Sequence, residues 1–340
     1  GVVARHEDMW SVFRPSSEVS RLNAAVRDAA IGDGASRCGA DSAHGGPGLV
    51  VSEETDRLLR DALALAEATG GTFNPLIGPL VAAWDVKAMR AAYVAGVPLP
   101  PAPAADSVEA ASRASSWGLL SRVGEQRWAM GVPAESVGGV DVPSPRLDLG
   151  GIAKGYTADA CRDLAVAMGA RGILVSVGTS SVSVFGTRAD GSSWRAGLRD
   201  PHGGPTSVAG VVELPAGGMA SLSTSGDNLG PLGGVGVGCA AERAAERAAG
   251  AASDRRARET PRETPGGGGR VFDHHIIDPR TGYPAHAGVR QVSVVASSGV
   301  LAEALSTALL VEPSIDVPDV VARWARVTGA PASAKVVDLV

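Results

Sequence analysis

The sequence predicts a chain that combines amphipathic helices with apolar β-strands. Apolar residues recur at helical spacing between Ser52 and Thr69, where Ser52 can cap the helix and Gly70 ends it. The apolar run "GILVSVG", from Gly172 to Gly178, is typical of a strand, and "VSVFG" follows as its hairpin partner. These segments indicate a fold in which helices pack against strands.

Two further helices and one more strand are predicted in the second half of the chain. One helix runs from about Ala153 to Met168 and is stopped by Gly169. The strand "QVSVVA" (Gln291–Ala296) leads into a helix from about Ser298 to Val311.

The composition narrows the class of protein. A length of 340 residues suits one large domain or two ordinary ones. Hydrophobic residues make up 44% of the chain and aromatic residues only 4%, so the core must consist mainly of Ala, Val and Leu. The net charge of -5 gives no basic surface for nucleic acid, which argues against such a partner.

Cysteine usage and hydropathy exclude several other classes. Cys38, Cys161 and Cys239 lie far apart without a CxxC pair, so neither a zinc site nor a disulfide framework is indicated. No apolar run reaches the length of a membrane span, and no signal peptide is visible. The chain begins at Gly1 without a methionine, so the absence of a visible signal leaves the compartment open.

Three stretches are expected to lack regular structure. They are residues 31–48, residues 97–106 and the glycine-, alanine- and arginine-rich segment 229–269. Because strong patterning resumes on both sides of it, segment 229–269 is interpreted as a disordered insertion within one domain.

The motif "LDLGGIAKGYTAD" (Leu147–Asp159) combines a strand end, a glycine pair and a helix start. Gly150 and Gly151 allow a ligand to approach the backbone closely, and the N-terminus of a helix attracts phosphate. Lys154 can add a positive charge for a pyrophosphate. The alternative is a plain strand-to-helix turn with an exposed lysine.

Two other motifs contain groups suited to chemistry. In "HHIIDPRTGYPA" (His274–Ala285), two histidines precede a corner that Pro279 and Gly282 make rigid, and they are either proton-transfer groups or decoration of a turn. In "AEALST", Glu303 and Thr307 are four residues apart and share a helix face. They are either oxygen ligands for a Mg²⁺ ion or an exposed acid and a threonine bonded to its own helix.

Six blocks, in the same order along the chain, resemble the ApbE-type flavin transferases. The blocks "LGGIAKGY" and "HIIDPRTGYP" are specific, and the others are weak alone. The six blocks are "FRPSSEVSRLN", "TGGTFNPLIGPLVAAWD", "LDLGGIAKGYTAD", "STSGDN", "HHIIDPRTGYPA" and "VLAEALSTALLV".

The resemblance implies a single α+β domain over residues 1–340, with a mixed sheet, flanking helices and the flexible insertion. Such an enzyme takes FAD as its substrate, cleaves the pyrophosphate with Mg²⁺ and releases AMP. It leaves FMN joined by a phosphoester to a Thr or Ser of a recipient flavoprotein. The alternatives are an FAD pyrophosphatase, which gives FMN and AMP, and a catalytically impaired flavin-binding protein. The family's recipients imply an extracytoplasmic or membrane-associated location.

The resemblance also implies roles for individual residues. His275 aligns with the family's histidine and is the candidate catalytic base. The metal ligands would be Glu303, Thr307 and the carbonyl of Gly151. The residues expected to contact FAD are Phe13, Thr72, Phe73, Asn74, Asp148, Lys154, Ser225 and Ile277. Ser225, Gly226 and Asp227 are interpreted as a loop that borders the site.

The chain departs from the family pattern at several positions. Glu303 stands where the family usually has Asp, and Asn74 also replaces an Asp. Gly178, Thr179 and Ser180 occupy the place of a Gly-Gly-Asp motif. These three departures favour the impaired flavin-binding alternative. The sequence begins just beyond the family's opening strand with its Met-Gly-Thr motif, and FAD binding is expected to be weaker if the natural protein also lacks that strand.

Overall fold

The computed structural model describes residues 1–32, 48–95, 97–133, 136–201, 207–226 and 275–340. The first half of the chain is mainly helical and carries one small sheet of strand order β1-β3-β2. Its elements are α1 (Val2–Trp10), α2 (Glu18–Gly32), β1 (Leu49–Val50), α3 (Glu53–Ala68), α4 (Gly78–Ala83), α5 (Val86–Ala95), α6 (Ala105–Ala114), β2 (Leu120–Gly124) and β3 (Arg127–Met130).

The second half is built on a five-stranded sheet of order β10-β9-β8-β5-β4, with a separate hairpin of β6 and β7. Its elements are α7 (Ala153–Ala167), β4 (Gly172–Val177), β5 (Ser181–Gly186), β6 (Arg195–Arg199), β7 (Val208–Glu213), β8 (Met219–Gly226), β9 (Gln291–Ala296), α8 (Gly299–Val311), α9 (Val317–Thr328) and β10 (Ala334–Leu339).

The predicted helices and strands are confirmed to within a residue or two at their ends. Ser52 caps α3, since its hydroxyl accepts a hydrogen bond from the backbone N–H of Thr55. Ser298 caps α8 in the same way. β4 and β5 form the expected hairpin, and the unusual Gly178–Ser180 segment is its turn.

The α+β class is confirmed, but two details of the prediction are wrong. The sheet is not mixed, because every strand pair in the described ranges is antiparallel. Ser225 and Gly226 belong to strand β8 rather than to a loop, because β8 lies inside the sheet and pairs with β5 and with β9.

The stretches expected to lack regular structure have different outcomes. Residues 97–104 have none, but α6 begins at Ala105, within the stretch 97–106. Residues 33–47 and the whole segment 229–269 lie outside the described residues, as do Cys38, Asp227, Cys239 and His274. That residues 1–340 form one domain with an insertion stays a prediction.

Helix α8 is the central element of the fold. Twelve of its thirteen residues are buried, and it packs against β8, β9, α7 and α3. Its sequence "GVLAEALSTALLV" is apolar on nearly every face, as expected for a helix that is surrounded by other elements. The buried Glu303 is therefore an exception that requires partners.

None of the helices within the described ranges combines the length and the apolar composition that a membrane crossing requires.

Candidate active site at the crossing of two helices

Helices α7 and α8 cross with their backbones in contact. The crossing point is at Gly155 and Gly299. A Cβ atom on Gly155 would lie 2.3 Å from the carbonyl oxygen of Gly299, and a Cβ on Gly299 would lie 2.3 Å from the oxygen of Gly155. Only glycine fits at either position, so the pair fixes how closely the two helices approach.

Glu303 lies beside this crossing and is buried, with 3% of its surface exposed. Its Oε2 accepts a hydrogen bond from the backbone N–H of Gly155 at 2.8 Å. Its Oε1 accepts one from the hydroxyl of Ser181 and lies 3.0 Å from Nζ of Lys154. A buried carboxylate costs free energy unless it is paired and hydrogen-bonded, and these three donors meet that need.

Lys154 connects the buried carboxylate to the glycine loop. Its Nζ donates to the carbonyl of Gly150 at 2.7 Å, in addition to its ion pair with Glu303. The side chain is 40% exposed, so the ammonium lies at the boundary between protein and solvent. It is also in the first turn of α7, where the partial positive charge of the helix favours an anion. The phosphate-binding expectation for this loop is therefore consistent with its geometry.

The glycine loop is joined to the turn that follows α3. The backbone N–H of Asp148 donates to the carbonyl of Pro75 at 2.9 Å, and the Asp148 carboxylate accepts from the N–H of Gly150 at 2.9 Å. A Cβ on Gly151 would lie 3.4 Å from Cε2 of Phe73, so the edge of that ring supports the loop. Phe73 itself belongs to the main apolar core.

The polar groups of Thr72 and Asn74 are used inside the protein. The Thr72 hydroxyl donates to the carbonyl of Thr69 at 3.0 Å. The Asn74 amide donates to the carbonyl of Ser115 at 2.6 Å and accepts from the N–H of Leu76 at 2.8 Å. Both residues are buried, so their side chains stabilise the turn, and any flavin contact falls to the surrounding backbone.

Ser225 and Thr307 form a hydroxyl cluster one helical turn from Glu303. The Ser225 hydroxyl lies 3.2 Å from Oγ1 of Thr307 and 2.8 Å from Oγ of Ser306. Ser306 also donates to the carbonyl of Glu303 at 3.1 Å. Strand β8 and helix α8 thus bring the predicted flavin contact and the predicted metal ligand together.

The proposed metal ligands are suited to Mg²⁺ in chemical type. A carbonyl, a carboxylate and a hydroxyl are the hard oxygen donors that this ion prefers. Oε2 of Glu303 has one hydrogen-bonded partner and retains a lone pair, whereas Oε1 is already paired with an ammonium. The described ranges hold no group of three or more His, Cys, Asp or Glu side chains that could bind a metal without such a carbonyl or hydroxyl. Because the ammonium of Lys154 already pairs with this carboxylate, a cation at Glu303 would compete with Lys154.

His275 and Ile277 lie on the rigid corner. Burial, together with the positive charge of Arg90, lowers the pKa of His275 to about 4, so its imidazole is neutral at pH 7. The Ile277 side chain is buried against Leu80 and Trp84 in a second apolar cluster. Burial of Ile277 leaves only its backbone for the predicted contact with FAD.

Asp278 stabilises the corner. Its carboxylate accepts hydrogen bonds from the backbone N–H and the guanidinium of Arg280, at 2.9 to 3.1 Å. Its carbonyl accepts from the N–H of Gly282 at 2.8 Å. These contacts make the Asp278 side chain a part of the turn itself.

Phe13 lies on the surface. Its side chain is 80% exposed, and its backbone N–H donates to the hydroxyl of Ser11. Covering a large exposed aromatic ring with a ligand or a partner removes apolar surface from water, which is favourable.

Sequence reasoning did not identify two residues at the crossing. Ser181 binds Glu303, and Asp159 binds the N–H of Gly299 at 2.6 Å. The spacing Gly-x-x-x-acid occurs in both helices and is the signal that could have revealed Asp159. Ser181 carries no comparable signal, because serines alternate with apolar residues along β5.

The sequence is similar to proteins of one family. The profile of the ApbE family matches residues 1–230 and 263–328. An FAD:protein FMN transferase from Treponema pallidum is 32% identical over 270 residues, which cover 77% of this chain and 61% of that protein. One from Rhodobacter capsulatus is 29% identical over 318 residues, which cover 94% of this chain and 46% of that protein. The chain therefore spans about half to two thirds of the length of these relatives.

Solved structures share the fold. The ApbE protein from Thermotoga maritima superposes with a TM-score of 0.62 at 24% identity, covering 99% of this chain and 84% of the other. The flavin transferase ApbE from Vibrio cholerae superposes with a TM-score of 0.59 at 20% identity, covering 98% of this chain and 81% of the other. At these identities the superpositions establish the α+β fold.

Proposed function

The chain belongs to the ApbE family, and from this premise we propose that it is an FAD:protein FMN transferase. A Thr or Ser hydroxyl of a recipient flavoprotein attacks the phosphorus next to riboflavin in FAD. A phosphoester bond forms between that oxygen and the phosphorus, and the bond from the phosphorus to the bridging oxygen breaks. The bridging oxygen and its electron pair leave with AMP, and the hydroxyl proton is released.

The observation that carries the proposal is the Lys154–Glu303 pair beside the glycine loop. A half-exposed ammonium in the first turn of a helix, next to two glycines, suits a pyrophosphate. Its present partners are the buried carboxylate of Glu303 at 3.0 Å and the carbonyl of Gly150 at 2.7 Å. A bound pyrophosphate can accept hydrogen bonds from the same ammonium. Its positive charge would then lie where negative charge develops on the leaving phosphate.

We propose that Glu303, Thr307 and the carbonyl of Gly151 hold a Mg²⁺ ion in the working enzyme. When bound, this ion would supply the positive charge that neutralises the pyrophosphate. The chain's own contribution is to place an oxygen donor and an ammonium on adjacent helices. The Ser225–Thr307 contact keeps the Thr307 hydroxyl turned toward the sheet.

We assign the acceptance of the hydroxyl proton to His275. Because burial lowers its pKa to about 4, the imidazole is neutral at pH 7 and one ring nitrogen can accept a hydrogen bond from the attacking hydroxyl. We expect His275→Gln to lower the rate of transfer and to leave FAD affinity unchanged, as measured by transfer kinetics and FAD titration. A loss of FAD affinity with unchanged turnover would overturn this assignment.

The reaction products test the proposal directly. The protein is incubated with FAD, MgCl₂ and a recipient flavoprotein, and the recipient is examined by intact-mass spectrometry for covalent FMN. Free FMN and AMP without labelled recipient would indicate an FAD pyrophosphatase. Recovery of unchanged FAD that is nevertheless bound would indicate an impaired flavin-binding protein. Either result would overturn the transferase assignment.

A matched pair of lysine variants identifies the site. Lys154→Met should remove transfer, because the ammonium beside the pyrophosphate is lost. Lys87→Met, on the exposed face of α5, removes the same charge elsewhere and should leave transfer unchanged. Equal effects of the two variants would show that Lys154 acts only through net charge.

A further inference from the structure

Helices α7 and α8 carry the same short pattern at their crossing. Gly155 is followed four residues later by Asp159, and Gly299 is followed four residues later by Glu303. Four residues correspond to about one turn, so in each helix the acid lies on the same face as the glycine. The two glycines are the crossing point of the helices.

Each acid binds the glycine N–H of the opposite helix. Oε2 of Glu303 accepts from Gly155 at 2.8 Å, and Oδ2 of Asp159 accepts from Gly299 at 2.6 Å. Both N–H groups lie in the first turn of their helices, where no intrahelical carbonyl is available to them. The two helices therefore cap each other, and we call this pair of contacts the reciprocal cap.

The position of Asp159 is itself fixed by the sheet. Its Oδ1 accepts hydrogen bonds from the hydroxyls of Ser183 on β5 and Ser221 on β8. The buried guanidinium of Arg162 lies 3.0 Å from the same oxygen. The carboxylate, whose side chain is 14% exposed, thus links α7, the sheet and the N-terminus of α8.

The reciprocal cap determines where Lys154 lies. Lys154 immediately precedes Gly155, whose N–H binds Glu303, and its ammonium reaches the other oxygen of the same carboxylate. A change in the helix crossing would move the lysine and its partner relative to each other. On the opposite side of the crossing, Asp159 supplies the second contact that prevents such a change.

We propose that Asp159 is a positioning residue for the anion site: through the reciprocal cap, it keeps Lys154 beside Glu303 and the glycine loop, from where the ammonium can turn to a bound pyrophosphate. Asp159 acts on the ligand only through the crossing. The inference rests on the proposed function for the identity of the ligand and on the hydrogen bonds at the crossing for the mechanism.

The unaltered protein provides the first test. Amide hydrogen exchange should be slow at both Gly155 and Gly299, although N–H groups in the first turn of a helix ordinarily exchange quickly. Fast exchange at either amide in the folded protein would overturn the reciprocal cap without any substitution.

Lysine labelling tests the positioning role. The chain contains only two other lysines, Lys87 and Lys335, which serve as internal references for the acetylation of Lys154 by acetic anhydride, followed by mass spectrometry. Asp159→Asn should raise the labelling of Lys154 several-fold relative to the references, because the ion pair with Glu303 loosens. Asp159→Glu should restore part of the protection, since it retains a carboxylate.

Asp163→Asn is the matched control. Asp163 lies one turn further along α7, binds the same Arg162 at 2.8 Å and has a side chain that is 54% exposed. This control should leave the labelling of Lys154 unchanged. Equal labelling of Lys154 in the wild type and in a folded Asp159→Asn variant would overturn the positioning role.

FAD titration separates this inference from the proposed function. Asp159→Asn should raise the Kd for FAD, whereas Asp163→Asn should not. If the wild type binds no FAD but its Lys154 labelling still depends on Asp159, the proposed function fails and the reciprocal cap stands. If FAD binds equally to both variants and labelling is unchanged, Asp159 is only a structural cap.

Discussion

Two buried carboxylates, Asp56 and Glu303, each accept several hydrogen bonds, but their donors differ in kind. Asp56 on α3 accepts from Nε and Nη2 of Arg122, from Nε1 of Trp128 and from Nε of Arg60. Glu303 accepts from a hydroxyl and a backbone amide and pairs with one lysine. Both side chains are 4% exposed, so burial does not distinguish them.

The difference lies in how easily the cation can leave. Arg122 grips Asp56 with two nitrogens in a planar geometry, which makes that contact rigid. Lys154 presents a single ammonium on a flexible stem, and since Arg122 and Lys154 are equally exposed, at 39% and 40%, the contact geometry makes the difference. The Asp56 cluster therefore stabilises the scaffold, and the Glu303 cluster keeps a cation that a ligand can take over.

The largest expected effect is on stability at Asp56. Asp56→Ala leaves the buried indole N–H of Trp128 without its acceptor and removes three hydrogen bonds from arginine side chains. The free energy of unfolding should fall markedly in urea denaturation, because an unsatisfied buried donor alone costs about 1–3 kcal/mol. Glu53→Ala on the same helix is the control, since its pair with Arg57 is exposed and such pairs contribute about 0–1 kcal/mol. Equal losses in the two variants would contradict the comparison.

The next effect is on transfer at Glu303. Glu303→Ala removes the proposed metal ligand and the partner of Lys154, and transfer should fall by about 100-fold or more, which corresponds to about 3 kcal/mol of transition-state stabilisation. Glu303→Asp retains the carboxylate and should retain transfer. If Glu303→Ala transfers FMN at the wild-type rate in the presence of a chelator, the metal assignment is wrong.

These two clusters also show what the sequence could predict. The glycine pair and Lys154 could be predicted, because a glycine loop before a helix is a local pattern that favours an anion site. The capping of α3 and α8 could also be predicted, since Ser52 and Ser298 act within their own helices.

Partners that are distant in the sequence could not be predicted. Arg122 is 66 residues from Asp56, and Ser181 is 122 residues from Glu303, so no local pattern connects either pair. The position of Ser225 in a strand was missed because its hydroxyl neighbours resemble a turn, whereas pairing with β5 and β9 determines its conformation. Tertiary contacts decided each of these cases.

A smaller effect is expected at Lys154. Lys154→Met removes a half-exposed cation, so the loss of stability should be small. Each kcal/mol lost would lower the melting temperature by about 2–4 °C. Without FAD, however, this variant should bind Mg²⁺ more tightly than the wild type, because the competing ammonium is gone. Calorimetric titration with MgCl₂ measures this, and Lys335→Met serves as the control. Weaker Mg²⁺ binding by Lys154→Met would exclude competition at Glu303.

The smallest effect is the dependence of stability on acid. Burial alone would raise the pKa of Asp56, but the hydrogen bonds from Arg122 and Trp128 and the charge of Arg122 and Arg60 outweigh it, and the pKa is lowered from 3.8. Because the folded pKa lies below the unfolded one, this stabilisation is present above about pH 4 and is lost as the pH falls through the folded pKa.

Asp56→Asn lacks the titrating group, so its free energy of unfolding should decline less steeply below pH 4 than that of the wild type. Urea denaturation between pH 2 and pH 6 measures both slopes. Parallel curves for the wild type and Asp56→Asn would mean that the folded and unfolded proteins bind this proton equally, and the rigid arginine contact would then carry no acid-linked stabilisation.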